Sequence, residues 1–537
     1  MLSIVLFLSV LILSLLIAQF LKLQWVGKRL PPGPTPLPFL GNLWTLHFRI
    51  DRDSLSQVQK AEIGPYAVSD HALIWLKLTS HLKGRGNWMW RYPLELLEKT
   101  YGKIYTLWLG QNPAVLVNGY EAVRDCLISF SDVFVLREPN PYFLKIFGDN
   151  GITFSNGQLW KHNRRFGLMT LRNLGLGRRN MEVRIQEEAR YLLNNFAAKE
   201  GRPMNPELPL ANSVGNVICA VVFGHRFDTD DKLFLRFMKV FDMVVKFPGT
   251  AWGKVYDALS SLMPLLPGPH KKLFACWEEV RSFVREEIKL HQERRVAGDP
   301  PEDLIDYYLD EMAKVTFCFH TKDDPTSLFN ENNLNVIVVE FFLAGVDTTS
   351  VTLLWALGYM VDYPDVQVKV QKELDAVLEP SEIICYEDRK RLPYTNAVIH
   401  ELQRFASIVQ VGVTRTSIKD TKFKGFFIPK GTPLFANIDS ALIDPEHWET
   451  PQKFNPNHFL DEDGNFVTKE AFVPFSAGLR VCMGEQLARI ELFLFFTNLL
   501  REFTFHLPRE EKRKITSDYI LGSTSHPHPY QICAVSR

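Results

Sequence analysis

The feature that most constrains this chain is a ten-residue stretch near its C-terminus, Phe475-Ser-Ala-Gly-Leu-Arg-Val-Cys-Met-Gly484, followed at once by an apolar helical run. The N–H groups and the dipole at the start of that helix favour a thiolate, so Cys482 is a candidate metal ligand. Gly478 and Gly484 permit backbone angles and close approaches that a Cβ atom would block. An inert buried cysteine is the alternative for Cys482 alone. The pattern F-x-x-G-x-R-x-C-x-G, however, fixes five identities over ten positions.

The chain opens with an apolar run that carries no charge from Leu2 to Leu21. A transmembrane helix needs about 20 such residues. A cleaved signal peptide is the alternative, but the run exceeds the usual apolar core of about 7–15 residues and has neither a basic start nor a clear small-residue cleavage site. We therefore predict an uncleaved transmembrane anchor over 1–27. The basic residues that follow place the main body on the cytoplasmic side.

A basic and proline-rich segment follows the anchor. In Leu30-Pro-Pro-Gly-Pro-Thr-Pro-Leu-Pro38 the prolines fix φ and remove hydrogen-bond donors, which predicts a stiff extended spacer. We assign a hinge to 28–42 and one folded domain to 43–537.

The composition excludes some classes of protein. The 537 residues include 61 Lys and Arg, 61 Asp and Glu, and 46% hydrophobic residues, so the chain can bury a large core. A formal net charge of zero argues against a nucleic-acid partner. The seven cysteines are dispersed, odd in number and without C-x-x-C spacing, which indicates a reducing compartment rather than a disulfide framework.

Helical patterns dominate the chain after residue 90. The segment 94–102 is predicted as a helix that stops at a glycine, and paired strands are predicted over 104–109 and 114–117. Amphipathic runs over 181–193 and 273–294 predict two further helices.

The run 336–358 is apolar nearly all round, which predicts a buried helix that is too polar at its centre to span a membrane comfortably. Gly345 in mid-helix costs about 1 kcal/mol relative to alanine, and Asp347 is expensive there unless it is hydrogen-bonded. Such costs tend to mark a functional site. The alternative is a helix kink in which Thr348 bonds to a carbonyl one turn back.

Two further pairs of residues have helical spacing. Glu401 and Arg404 stand three apart among apolar neighbours, which favours a buried pair, although E-x-x-R alone is a weak signal. Trp160 and Arg164 stand four apart and share a helix face.

In order along the chain, the hinge, W-x-x-x-R, A-G-x-D-T-T, E-x-x-R, F-x-P-x-H-F and F-x-x-G-x-R-x-C-x-G extend from about residue 30 to the C-terminus. This set resembles the signature of the cytochrome P-450 superfamily. Further strings, including Phe154-Ser-Asn-Gly157 and Pro393-Tyr-Thr-Asn-Ala-Val-Ile-His400, resemble its microsomal family 2 and, within that family, the J-type subfamily. The resemblance implies a cytochrome P-450 fold, mainly α with small β-sheets, that carries an N-terminal transmembrane anchor helix.

The resemblance also implies a cofactor, heme b (iron protoporphyrin IX), with Cys482 as the ligand of its iron. A buried dianion needs several cations around it. The remaining cofactor-binding residues implied by the motifs are Arg137, Trp160, Arg164, Arg415, Phe475 and Arg480.

Three further groups of residues follow from the same match. Asp347 and Thr348 correspond to the acid-alcohol pair that delivers protons during oxygen activation. A structural lock is implied for Glu401, Arg404 and His458. The positions that match the lining of the substrate pocket are Phe143, Phe147, Phe341, Ala344, Ile408, Val413 and Leu521.

The implied activity is that of a haem-thiolate monooxygenase, which inserts one atom of O2 into a small lipophilic substrate. Polyunsaturated fatty acids such as arachidonate, by epoxidation or hydroxylation, and xenobiotics are the implied substrates. Electrons come from NADPH through NADPH-cytochrome P-450 reductase, with cytochrome b5 as a further donor. The anchor implies the endoplasmic reticulum membrane, with membrane lipid as a partner and the catalytic domain in the cytoplasm.

Several features depart from the family pattern or leave alternatives. Relatives run from the hinge to the first helix with fewer residues, so 51–90 is interpreted as an insertion, either a surface excursion or a sequence artefact. Leu479 stands where relatives often carry lysine, which weakens docking of an electron donor. The apolar segments 247–252 and 259–267 are either core turns or a second membrane-dipping surface.

Two other functions compete with the monooxygenase. One is a reductase-independent haem-thiolate isomerase or peroxygenase, against which the intact Asp347-Thr348 pair argues. The other is a non-catalytic haem-binding membrane protein.

Overall fold

The computed structural model describes residues 18–19, 21–22, 27, 29–33, 91–109, 112–177, 179–296, 298–319, 328–379, 381–511 and 513–537. Most of the predicted anchor (1–27) and of the predicted hinge (28–42) lies outside the described residues. The predicted insertion (51–90) lies wholly outside them.

Helices make up most of the described chain. From Arg91 onward they are α1 (Arg91–Tyr101), α2 (Tyr120–Arg124), α3 (Pro141–Phe147), α4 (Gly157–Asn173), α5 (Arg179–Ala197), α6 (Glu207–Val222), α7 (Lys232–Lys246), α8 (Ala251–Ala258), α9 (Pro269–Arg294), α10 (Leu304–Phe319), α11 (Glu331–Asp362), α12 (Pro364–Val377), α13 (Pro393–Ala406), α14 (Ile438–Leu442) and α15 (Glu485–Glu502).

The strands are short. They are β1 (Ile104–Leu109), β2 (Asn112–Val117), β3 (Arg415–Thr416), β4 (Thr421–Phe423), β5 (Phe426–Ile428), β6 (Pro433–Ala436), β7 (Phe503–His506), β8 (Tyr519–Leu521), β9 (Ser525–Pro527) and β10 (Cys533–Ser536). The mainly α class with small sheets, as predicted, is therefore confirmed for the described residues.

The described residues form two compact units. The first comprises those within Met1–Glu138, Val411–Ala441 and Ser476–Arg480. The second comprises Pro139–Gln410, Leu442–Phe475 and Val481–Arg537.

The first unit is built around a four-stranded sheet in the order β1-β2-β6-β3. The predicted strand pair is confirmed, because β1 and β2 pair antiparallel with Ile104 opposite Val117. The prediction of a glycine stop is also confirmed, since α1 ends at Tyr101 and Gly102 has a φ of +90°. The described part of the hinge joins this sheet: the N–H of Thr106 donates to the carbonyl of Pro32 over 2.8 Å.

The second unit is organised around α11, which is 32 residues long and contacts α6, α9, α13 and α15. Among the described helices, α11 alone is long and apolar enough to cross a membrane, but most of its apolar window is buried inside the protein. The prediction of a buried core helix is therefore confirmed. A Cβ atom at Gly345 would lie 2.6 Å from Cδ1 of Ile218, so this glycine permits the close packing of α6 on α11.

Candidate active site

The loop that carries Cys482 is held by its backbone. The N–H of Cys482 donates to the carbonyl of Phe475 over 3.0 Å, and the cysteine is solvent-exposed. Helix α15 begins at Glu485, so its unpaired N–H groups follow the sulfur directly along the chain. This is an arrangement that stabilises a thiolate.

The two glycines of this loop differ in whether a residue with a side chain could replace them. Gly478 has a φ of +73°, and a Cβ atom there would lie 1.7 Å from the carbonyl oxygen of Leu127, so glycine alone fits. Gly484 has a φ of −88°. The protein atom nearest to a Cβ added at this position is Sγ of Cys482, at a distance of 4.0 Å. A Cβ atom is thus blocked at Gly478, as predicted, whereas the backbone angles of Gly484 suit any residue and its close approach to a planar group stays a prediction.

Helix α4 contributes an arginine to the cysteine loop. Nη2 of Arg164 donates to the carbonyl of Val481 over 2.8 Å. Burial lowers the pKa of Arg164, and the nearby Cys482 opposes that shift. Trp160 is buried one turn earlier on the same helix. The contact with Val481 could not be inferred from sequence, because 317 residues separate the two partners.

An aromatic residue of the motif is fixed by a second arginine. The guanidinium of Arg489 lies 5.0 Å from the centre of the Phe475 ring. The same guanidinium is bonded to Oε1 of Glu485, one turn earlier on α15, over 2.9 Å. A cation–π contact of this kind orients the ring that precedes the cysteine loop.

In the first unit, three of the predicted cofactor-binding arginines are fully or partly buried. Arg480 and Arg415 are 4% and 3% exposed. Nε of Arg480 donates to the carbonyl of Val135 over 3.1 Å, and Nη2 of Arg137 approaches the carbonyl of Arg480 at 3.4 Å. Guanidinium groups held in this way are suited to binding carboxylates.

Helix α11 carries the predicted acid-alcohol pair. The hydroxyl of Thr348 donates to the carbonyl of Ala344 over 2.7 Å, the bond one turn back that the alternative interpretation expects. Helix α11 is nevertheless α-helical from Glu331 to Asp362 without interruption. Ala344 is exposed although most of its helix is buried, so this face of α11 borders open space.

Asp347 is held by residues that sequence analysis did not single out. The hydroxyl of Thr524 donates to Oδ2 of Asp347 over 2.7 Å. Nε2 of His526 lies 3.2 Å from Oδ1 of the same carboxylate. Both partners belong to the β8–β9 hairpin, and no local motif marks them, since Thr524 follows Asp347 by 177 residues.

A buried carboxyl group also lies under α11. Glu491 on α15 is 1% exposed and interacts with the side chain of Thr349. Burial raises the pKa of Glu491 to about 8, so this carboxyl is protonated near neutral pH. The sequence signal for this position is an acid within the otherwise apolar face of α15.

The predicted pocket residues are placed in two groups. In the second unit, Phe143 and Phe147 stack with ring centres 6.1 Å apart, and Phe154 joins them at 5.3 and 5.8 Å. Phe341 lies one turn before Ala344 on α11 and is half-buried. The remaining predicted pocket residues are also half-buried. Ile408 and Leu521 lie in the second unit, and Val413 lies in the first.

The structure brings the three predicted lock residues together. Nε and Nη2 of Arg404 donate to the two carboxylate oxygens of Glu401, each over 2.6 Å, and both side chains are fully buried. Nδ1 of His458 lies 3.2 Å from Oε2 of Glu401. Nε2 of His458 accepts from the N–H of Thr450 over 3.2 Å, so the ring proton sits on Nδ1 and points to Glu401.

A thiol before a helix, a fully buried E-x-x-R pair and an acid-alcohol pair on a long core helix define a haem-thiolate protein. The chain belongs to the cytochrome P450 family, whose model matches residues 73–534. It is a cytochrome P450 monooxygenase of the microsomal family 2, with relatives of the J type.

The similar proteins include three J-type members of family 2. Cytochrome P450 2J5 of Mus musculus is 40% identical over 95% of this chain and 92% of its own length. Cytochrome P450 2J2 of Homo sapiens is 40% identical over 97% of this chain and 94% of its own. Cytochrome P450 2J1 of Oryctolagus cuniculus is 39% identical with the same coverage.

The family implies haem, and the donors present fit it. Cys482 offers an accessible thiol to the iron. In the first unit, the guanidinium groups of Arg137, Arg415 and Arg480 are chemically suited to carboxylates such as the two of the cofactor. Thiolate ligation of this kind directs electron density to the iron and favours O–O cleavage.

Proposed function

We propose that this protein accepts electrons from NADPH through NADPH-cytochrome P-450 reductase, with cytochrome b5 as a further donor. With them it inserts one atom of O2 into polyunsaturated fatty acids such as arachidonate, by epoxidation or hydroxylation, and into xenobiotics. The observation that carries the proposal is the open face of α11, where Ala344 and Thr348 lie one turn apart beside a hydrogen-bonded Asp347.

The acid-alcohol pair supports monooxygenation because it can hold and pass a proton. The hydroxyl of Thr348 donates its hydrogen to the carbonyl of Ala344, so the Thr348 oxygen can still accept a hydrogen bond from a proton donor. Asp347 keeps a fixed orientation through Thr524. An acid in a fixed position next to such a hydroxyl is the requirement for general acid catalysis.

The chemistry of the pocket residues supports a lipophilic substrate. Phe143, Phe147 and Phe154 form a continuous aromatic cluster in the second unit. Phe341 and Ala344 add apolar surface on α11. A site lined in this way binds chains and rings through apolar contact and leaves regiochemistry to a few polar groups.

The exposed basic residues of helix α4 support the proposal that the electron donor is an acidic protein. Three of its basic residues, Lys161, Arg165 and Arg172, are exposed, whereas Arg164 turns to the cysteine loop. Cationic residues on one helix attract an acidic partner and raise its association rate at low salt.

Exposed leucines support a membrane surface in addition to the predicted anchor. Those between α8 and α9 are Leu259, Leu262, Leu265 and Leu266, and Leu265 is 80% exposed. Leucines in this density on a surface are typical of a segment that enters the interfacial region of a bilayer. We place the protein in the endoplasmic reticulum membrane with its catalytic domain in the cytoplasm.

The first test is the Soret spectrum of the purified protein, reduced and bound to carbon monoxide. We expect the haem-thiolate signature, and we expect Cys482→Ser to lose both that signature and oxygenating activity. Cys385→Ser, at another exposed cysteine, serves as the matched control and should change neither. Retention of signature and activity by Cys482→Ser would overturn the proposal.

The second test is a lipid panel with reductase and NADPH. Epoxides and hydroxylated products of arachidonate are expected. Oxidation of steroids with arachidonate left untouched would remove the fatty-acid assignment. Turnover without NADPH would favour the isomerase or peroxygenase, and carbon monoxide binding without any turnover would favour a non-catalytic haem protein.

A further inference from the structure

The feature that the proposed function leaves unused is His526, a histidine 4% exposed that lies between Asp347 and a group of charged residues on two other helices. Its Nε2 lies 3.2 Å from Oδ1 of Asp347 and 3.0 Å from the hydroxyl oxygen of Thr524. The single hydrogen of that hydroxyl goes to Oδ2 of Asp347. Nε2 of His526 therefore carries the proton and donates it to the hydroxyl oxygen of Thr524, which in turn donates to Asp347.

The other nitrogen of the ring faces away from Asp347. Nδ1 of His526 is buried and has no hydrogen-bond partner among the described residues. A ring nitrogen of His526 and carboxylate oxygens of Glu207 and Asp242 all lie within 4.8 Å of one another. Because Nε2 is hydrogen-bonded to Thr524, Nδ1 is the nitrogen available to these carboxylates, and one bridging water spans such a distance.

The two carboxylates reach solvent. Their side chains, which we call the outer acids, are 34% exposed for Glu207 on α6 and 44% exposed for Asp242 on α7. The ammonium of Lys246 lies 3.1 Å from Glu207 and 2.5 Å from Asp242. Burial lowers the pKa of Lys246, but the two carboxylates outweigh it and raise the pKa overall, so the ammonium stays charged. The outer acids are thus already compensated by a cation, which disfavours a metal ion at this place.

One further titratable group lies close to the outer acids. Tyr530 donates its hydroxyl hydrogen to the carbonyl of Leu354 over 2.7 Å. Burial raises the pKa of Tyr530, so it stays protonated. Tyr530 therefore does not take part in proton exchange.

We propose that His526 relays protons from the outer acids to Asp347, a role that rests on the monooxygenase function proposed above. In one step the Nε2 proton passes to the Thr524 hydroxyl, whose own hydrogen passes to Oδ2 of Asp347, while Nδ1 takes a proton from water or from a protonated outer acid. The ring then turns over to present its new N–H to Thr524. Only N–H and O–H bonds change, and one proton moves inward for each cycle.

Two roles of His526 can be distinguished: if the residue relays protons, an added base that carries protons should rescue its replacement, and if it only positions Asp347, such a base should not. The side chain in His526→Gln keeps an N–H donor for the Thr524 hydroxyl but cannot pass a proton through. We expect this variant to release at least threefold more hydrogen peroxide per NADPH oxidised, because protons then arrive too slowly for productive O–O cleavage. Added imidazole should restore coupling. His528→Gln, on the same hairpin and 3.2 Å from Asp518, is the matched control and should match the wild type.

Two results would overturn the relay. One is peroxide release by His526→Gln that equals the wild type. The other is an increase that imidazole leaves unchanged, since this indicates that His526 only positions Thr524 and Asp347.

A measurement without turnover tests the same role. In ring-15N-labelled resting protein, the His526 signals, identified by their absence from His526→Gln, should show that the ring proton exchanges between Nδ1 and Nε2. A ring that keeps its proton on Nε2 alone is not a relay. If the wild type with reductase oxidises no lipid, the proposed function fails, and this exchange still decides the relay separately.

Discussion

Arg404 and Glu401 form a bidentate ion pair in which both N···O distances are 2.6 Å and both side chains are fully buried. The guanidinium also donates to the carbonyls of Leu442, Pro451 and Lys453, over 2.8 to 3.0 Å. Helix α13 is thereby tied to Leu442, the last residue of α14, and to the segment that follows it. A buried charge pair of this kind is costly to break from one side.

Arg404→Ala is expected to lower the free energy of unfolding by about 3–5 kcal/mol, because it leaves the Glu401 carboxylate buried without its cation. Denaturant unfolding of the apoprotein and the holoprotein measures the loss. Lys390→Ala breaks a pair with Glu387 in which both side chains are about two-thirds exposed, and it should cost less than about 1 kcal/mol. Equal losses in the two variants would contradict the structural role of the lock.

Glu491 makes stability depend on pH. Its folded pKa of about 8 lies above the ordinary value of 4.5, so between these values the folded protein keeps a proton that the unfolded chain has lost. Stability therefore falls as pH rises from about 4.5 to about 8, by roughly 1.4 kcal/mol per pH unit from this group.

Glu491→Gln should remove that slope, because the amide stays neutral. Unfolding free energies at several pH values between 5 and 9 compare the variant with the wild type, and the variant should gain most above pH 8. Glu470→Gln, at an exposed position, is the control. Parallel curves for Glu491→Gln and the wild type would show that burial does not shift this carboxyl.

Leu479 is 49% exposed in the first unit. Leu479→Lys should lower the KM for reductase by about two- to fivefold at low salt, because a cation there attracts an acidic donor. Turnover measured against reductase concentration at low and high salt tests this, and the effect should shrink as salt rises. Leu479→Gln separates added charge from lost apolar surface. An equal gain in both variants would exclude an electrostatic cause.

Leu262 and Leu265 are exposed between α8 and α9. Replacing both with aspartate, in a chain that lacks residues 1–27, should reduce binding to phospholipid vesicles by at least about tenfold, since each buried leucine contributes about 1.5–3 kcal/mol. Vesicle flotation measures the bound fraction. Leu290→Asp, at another exposed leucine, should leave binding unchanged. Unchanged binding in the double variant would assign these leucines to another surface.

Part of this protein is determined by local sequence. The helix stop at Gly102 and the strand pair of β1 and β2 follow from chemistry within a few residues. The motif around Cys482 indicates the class of protein for the same reason, because backbone conformation, thiol and following helix lie within ten positions. The E-x-x-R pair is also a local feature, because its two residues lie one helix turn apart.

Tertiary structure decided the rest, because it joins residues that are remote in sequence. Gly345, which sequence analysis attributes to a functional site, accommodates Ile218 of a neighbouring helix. Arg164 donates to the carbonyl of Val481. Asp347 accepts a hydrogen bond from Thr524 and lies close to His526, and both of these residues belong to the β8–β9 hairpin. The pKa of Glu491 likewise depends on burial under α11. Contact distance and exclusion of water set these properties, and both arise when the helices pack.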